Sequence, residues 1–320
     1  MPLPLAVSIA LAVAAPPDSP LPRAHHALVY DAAREVVLLT AGSTPLEGGK
    51  SFRFFDDVWG FDGAAWRRIA ESGDKLSGVG LAFDSRRGRV VSFGGYDGRS
   101  RDLLRAFDGA AWMTLGRLSG MAAAEPGFAY DAARDRCVLF GGSGGGGKTH
   151  GETWELVDGT TWAHVDVPGP PARQGHAMTF DAKRNRVVLF GGMGSAAPGE
   201  RPPSLGDTWE YDGRAWTERI GPAPPARHAA GIAFDSKRGR ILLFGGMGKD
   251  GFLGDTWSFD GAAWKKLAET GPEARAMGYM AYDTKRDRVV LFGGRKGWPD
   301  GDLGDTWEWD GATWRRFDAK

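Results

Sequence analysis

The sequence predicts an all-β chain folded as a six-bladed β-propeller, each blade a four-stranded antiparallel sheet. Three observations carry the prediction. A segment of about 50 residues recurs six times, each copy marked by a glycine that ends an apolar run: Gly42, Gly95, Gly142, Gly192, Gly246 and Gly294. An Asp-Gly dipeptide recurs six times, at Asp62, Asp108, Asp158, Asp212, Asp260 and Asp310. A tryptophan follows each of these: Trp66, Trp112, Trp162, Trp216, Trp264 and Trp314. The composition agrees: among 320 residues, 49 glycines and 19 prolines interrupt helices, and 13 tryptophans suit short strands.

The first strand of a repeat alternates large and small side chains, a period of two. Leu28 and Tyr30, Leu81 and Phe83, Phe128 and Tyr130, Met178 and Phe180, Ile232 and Phe234, and Met280 and Tyr282 carry the bulk. Val29, Ala82, Ala129, Thr179, Ala233 and Ala281 lie between them. Bulk on one face and a tight fit on the other suit an innermost strand crowded around an axis. The second strand, RVVLFGG, is apolar without alternation, the mark of burial on both faces.

Between these two strands runs D-x-x-R-x-R, as from Asp181 to Arg186. Gly88, Asp135, Asn185, Gly239 or Asp287 precedes the last arginine, and these residue types tolerate positive φ. A short hairpin with a bulge is the expected turn; Glu35 and Val36 break the pattern in the first repeat. The third strand, DTWEY, sets Trp209 and Tyr211 on one face and Thr208 and Glu210 on the other. A two-residue Asp-Gly turn should lead into the fourth strand, which the tryptophan opens. The last strand signal, TWRRF from Thr313 to Phe317, is again a fourth strand. With no strand left to swap, the ring should close by packing of blade six on blade one.

The glycine pair after a hydrophobic run, the aromatic of the third strand and the tryptophan of the fourth together resemble the kelch repeat, which also builds the central domain of galactose oxidase. The resemblance covers 23–320, with repeats at about 23–74, 75–121, 122–171, 172–225, 226–273 and 274–320. Some copies depart from it. Thr40-Ala41-Gly42 replaces Phe-Gly-Gly in the first, Arg105 stands at the third-strand tryptophan of the second, and Val157 is an insertion in the third. Propellers of this kind host both binders and enzymes, so the resemblance implies the fold and not one activity.

Several function classes are excluded or disfavoured. Forty basic residues balance forty acidic ones, which leaves no footprint for nucleic acid or an anionic membrane. The single cysteine, Cys137, excludes an internal disulfide and a cysteine-based zinc cluster. Copper oxidation in the manner of galactose oxidase would need a Cys-Tyr crosslink, and Cys137 lies inside an apolar strand. The six histidines show neither H-x-x-x-H nor H-E-x-x-H spacing, and the stretch from Asp300 to Asp305 lacks the spacing and terminal glutamate of a calcium loop. Gly142 to Thr149 matches a phosphate-binding loop in letters, but GETWELVDGTTW follows it where a helix is required. No catalytic residue, cofactor or metal is expected.

Residues 3–15 form an apolar run too short to span a bilayer, with Ala12-Val13-Ala14 as a cleavage-like site. This predicts a signal peptide over 1–15, a Pro-rich spacer over 16–22 and a secreted or periplasmic, monomeric protein without a membrane span. Function is expected on the face that carries the variable loops between strands two and three. There Phe52, Phe54, Phe55 and Trp298 stand out as hydrophobic anchors among glycines and charges. At the mouth of the ring Arg23, Arg173, Arg227 and Arg275 recur, with His26 and His176 three residues beyond the first two of them. Four guanidiniums near one axis could hold a carboxylate or an acidic sugar. The expected activity is binding of a protein or carbohydrate ligand on this face; the alternative is a carbohydrate-active enzyme resembling the kelch-fold sialic acid epimerases. If the arginines bind ligand, replacing Arg173, Arg227 and Arg275 by alanine removes acidic-ligand binding and leaves the fold intact.

Overall fold

Six repeats of one pattern give six sheets of one topology, the strands hydrogen-bonded in chain order from first to fourth. In the computed structural model, which describes residues 19–318 apart from 198 and 300, blade 1 comprises Ala24–Asp31, Val36–Leu46, Ser51–Phe61 and Trp66–Leu76. Blades 2 to 6 run over 80–117, 127–165, 173–219, 231–268 and 279–317. The first strands stand side by side around the axis, that of blade 6 against that of blade 1. Among the described residues no strand is shared between the terminal blades, as the phase of the repeats requires. The expected signal peptide lies outside the described residues. Among those described, no helix is long and apolar enough to cross a membrane.

The alternation of the first strand is what locks the blades together. Ala82 of blade 2 packs with Phe128 of blade 3, Ala233 of blade 5 with Met280 and Tyr282 of blade 6, and Ala281 of blade 6 with Leu28 and Tyr30 of blade 1. Each small residue makes room for the large pair of the next blade, so the hydrophobic clusters straddle blade boundaries.

The fourth-strand tryptophans add one directed bond to this packing. Trp66, Trp216, Trp264 and Trp314 each donate Nε1–H to a third-strand threonine of the preceding blade (Thr306, Thr153, Thr208 and Thr256), all at 2.9 Å. Val58 and Leu104 stand where that threonine would be in blades 1 and 2, and Trp112 and Trp162 accordingly have no acceptor.

On the tight-turn face the six aspartates of D-x-x-R are buried. In each turn Oδ1 accepts from the arginine's own amide three residues on, and a second oxygen contact meets its guanidinium. From there Arg134, Arg184 and Arg286 reach Glu155, Glu210 and Glu308 of the third strand. They also lie over Tyr211, Phe259 and Phe61 of the next blade, 5.1–5.2 Å from ring centre to guanidinium carbon. The contact from Arg286 to Phe61 joins blade 6 to blade 1.

Two turns differ from expectation. The first hairpin is a four-residue loop without a bulge: Asp181 pairs with Arg186, and Asn185 takes the positive φ at 54°. The Asp-Gly turn is also wider than two residues. Phe61 pairs with Trp66, and Asp62 Oδ1 accepts from the amides of Ala64 and Ala65 at 2.8 and 2.9 Å. A side-chain acceptor that satisfies two turn amides favours the longer loop over a tight mirror-image turn. The phosphate-loop look-alike is a hairpin, Ser143–Gly145 paired with Lys148–Thr149, with Gly145, Gly146 and Gly147 at positive φ.

Candidate functional site

The four arginines expected at the mouth do not face the axis. Arg23, Arg173, Arg227 and Arg275 are 0–1% exposed. Each forks onto an aspartate in, or immediately before, the third strand of its own blade (Asp57, Asp207, Asp255 or Asp305) with contacts of 2.5–3.1 Å. Nε donates to the carbonyl two residues back, and Nη1 to the carbonyl of Ala41, Gly191, Gly245 or Gly293. Burial pushes these aspartates' carboxyls up, but the guanidinium outweighs it and holds all four below the usual carboxylate range. The donors meant for a ligand are spent inside the blade.

His26 and His176 are internal as well. His176 fits a slot over Gly127 and beside Gly141 of the preceding blade, edge-on to Phe140 at 5.6 Å. His26 stands edge-on to Tyr279 and Phe292 of blade 6, both at 5.5 Å. Among the described residues neither ring nitrogen of His176 has a hydrogen-bond partner. Burial, then Arg173, lowers His176 from 6.5 to about 3. A histidine that is neutral in the fold and protonated when unfolded makes stability rise with pH. We expect stability to fall as pH drops from about 6.5 toward 3, and His176→Phe to flatten that slope between pH 6.5 and 4.5, above the range where the depressed aspartates contribute. Urea titrations at stepped pH measure it, and an unchanged slope in the variant refutes the assignment. Cys137 is buried, and burial pushes its thiol far up.

What does face the axis comes from the neighbouring repeat positions. Two residues after the arginine, or its replacement, stand His25, Gly78, Glu125, Gly175, Ala229 and Met277, all with φ between 52° and 60°. In this left-handed conformation each amide donates to the carbonyl of the equivalent residue in the preceding blade, at 2.6–3.3 Å, and His25 closes the circle onto Met277. The four residues with side chains hold a conformation that costs about 1–2 kcal/mol each, against six hydrogen bonds around the axis. The circle is the floor of a funnel.

Above the floor, bridged pairs from the connections of each blade form the wall, among them Ser77 with Tyr96, Ala124 with Ser143, and Ala276 with Arg295. The funnel has a volume of about 530 Å³. Its upper wall is aromatic: Trp298, Phe52, Phe54 and Tyr96 follow one another across blades 6, 1 and 2, with ring centres 5.8, 6.4 and 6.3 Å apart. Phe252 and Met247 face in from blade 5. Phe55 is not part of this wall; it is buried, with the Arg23 guanidinium 3.8 Å from its ring centre.

One carboxylate–imidazole pair lies on the floor. Glu125 Oε1 meets His25 Nδ1 across blade 2. Burial pushes the Glu125 carboxyl up, and the His25 ring outweighs it, leaving it below the usual value. The side chain can cross the axis because its neighbours there are glycines: a Cβ on Gly78 would come 3.0 Å from Glu125 Cγ, and one on Gly175 3.1 Å from Oε2. Arg295, also in the funnel lining, is forked onto Asp302 at 2.6 and 3.2 Å. Ser143 sits in Gly-Gly-Ser-Gly-Gly, a formal nucleophile-elbow string, but on a hairpin and with no histidine bonded to its hydroxyl. Among the described residues no cluster of histidine, cysteine, aspartate or glutamate could hold a metal.

The sequence signal for this site was present but offset. Tyr96 and Phe252 stand in the variable loops, and Glu125 and His25 appear once the six repeats are aligned two positions past the arginine. No protein-family model matches the chain, and no curated protein is found to be similar to it.

Proposed function

We propose that this protein is a ligand-binding module, a monomeric kelch-type propeller exported through its leader, that receives a protein or carbohydrate ligand in the axial funnel of its variable-loop face. The observation that carries the reading is the exposure of the wall: Phe52, Tyr96 and Trp298 are 39%, 40% and 59% exposed around one concave opening. Soluble surfaces rarely gather large aromatics this way without a partner. The floor charge and the serines supply a few fixed polar groups to orient what enters.

The enzymatic alternative keeps one point in its favour, a carboxylate and an imidazole side by side at the base of a cleft. It loses the arginines that were to hold an acidic sugar, since their donors are taken. A thermal-shift screen of glycans, peptides and metabolites tests the binding reading. Compounds that stabilise the wild type should lose their effect on the Phe52→Ala/Trp298→Ala protein, whose own melting temperature stays within a few degrees. Equal shifts in both proteins would place the ligand elsewhere and overturn the funnel as the site.

A further inference from the structure

The funnel reading can be carried to a ligand class through the state of Glu125. Its Oε1 is engaged by His25, while among the described residues no hydrogen bond or ion pair reaches Oε2. Gly78 and Gly175 flank the carboxylate without side chains, so the open oxygen is bounded by the funnel itself. His25 meets only one oxygen of the carboxylate, and a donor to the second would further offset the cost of holding it in an aromatic and methionine-lined recess. Arg295 is held by Asp302, which balances its charge, and His228, whose charge also acts on Glu125, is bonded through Nδ1 to the Ser204 hydroxyl at 3.0 Å. The recess therefore holds an unfilled acceptor of negative charge at its base and π faces above. The same wall already seats one cation: the Arg295 guanidinium lies 4.9 Å over the Trp298 ring.

Resting on the funnel as the binding site, we infer that its ligand ends in a primary ammonium on an apolar stem. The ammonium docks on Glu125 Oε2, and the stem runs along Phe52, Phe54 and Trp298. An ammonium brings three donors and the charge that matches the carboxylate, and the aromatic faces favour a cation or its polarised methylenes over an anion. A neutral sugar could donate to the same oxygen but brings no charge to match it. Two sources share this chemistry, a free alkylamine and a lysine side chain presented by a peptide.

The test is titration calorimetry of the full chain with hexylamine, hexanol, hexanoate, a neutral disaccharide, and a blocked Gly-Lys-Gly peptide beside its norleucine analogue. Hexylamine should bind about tenfold or more tightly than hexanol, since hydrogen bonds to charged groups supply that discrimination. Glu125→Gln should bring the amine down to the level of the alcohol. His25→Asn, which suits the left-handed backbone and frees Glu125 of its partner, should strengthen amine binding several-fold, a gain that a merely structural role for the pair does not produce. A lysine peptide that binds better than its norleucine analogue and better than hexylamine identifies a protein partner; the reverse order identifies a free amine. Equal binding of amine and alcohol, or amine binding unchanged in Glu125→Gln, overturns the inference. If the disaccharide or the hexanoate binds in the funnel and the amine does not, the ligand class falls while the funnel reading stands. If nothing in the panel binds and the Phe52→Ala/Trp298→Ala protein matches the wild type throughout the wider screen, both fall.

Discussion

Arg173→Leu should destabilise the propeller by about 3–5 kcal/mol, because it strips a buried carboxylate of the cation that compensates it. Arg173 is fully buried, and Asp207 is held by its fork at 2.6 and 2.7 Å. Pairing the change with Asp207→Leu should recover most of the loss. The chain contains the precedent: blade 2 has Leu76 at the arginine position and Leu103 at the aspartate position, so both charges are absent together. Recovery should be incomplete, since Trp209 Nε1 donates to Asp207 at 2.7 Å and would be left without an acceptor. Blade 3 shows the other arrangement, with Ala123 at the arginine position and Glu152 turned outward. Urea unfolding of the two single variants and the double variant measures the coupling. Additive losses would mean that the pair is not one unit. The triple replacement of Arg173, Arg227 and Arg275 by alanine is accordingly expected to unfold the protein, the opposite of what a ligand-binding role demands.

Trp264→Ala should cost about 3–5 kcal/mol, the range for deleting a large buried aromatic. Its ring lies 5.1 Å from Phe190 of blade 4 and 5.1 Å from Phe259 of its own blade, so the cavity would open at a blade boundary. Its indole also holds Thr208. Thr208→Val removes the bond alone and should cost about 1 kcal/mol. Trp162 provides the internal control: it is only half-buried and has no acceptor, so Trp162→Ala should cost clearly less. Thermal unfolding of the three variants orders these losses. A Trp162→Ala protein as unstable as Trp264→Ala would show that the threonine bond and depth of burial do not set the difference.

These two expectations rest on features that were unequally legible. The propeller, its blade number, its strand order and its closure could all be read from the chain, because alternation, glycine pairs and Asp-Gly turns are local signals repeated six times. The turns are wider by a residue or two than their letters suggest. Asp62 and its counterparts close their loops with side-chain bonds, which letters alone do not distinguish from the tighter hairpin.

The candidate site residues divide along a different line. Arginine at a recurrent position is visible in sequence, but whether it faces a ligand or an aspartate some thirty residues later depends on which way the side chain lies over its blade. The aspartates 34, 34, 28 and 30 residues on were present to be paired, and their joint loss in blade 2 was the available clue. The funnel has no such clue in any single repeat. Glu125 of blade 3 and His25 of blade 1 are separated by a hundred residues, and only ring closure puts them in contact over Gly78. By itself the sequence determined the repeated unit and hence the architecture, since each blade is specified locally. The tertiary structure alone decided the candidate site, since the six residues at one repeat position become a single surface only when the ring brings them around one axis.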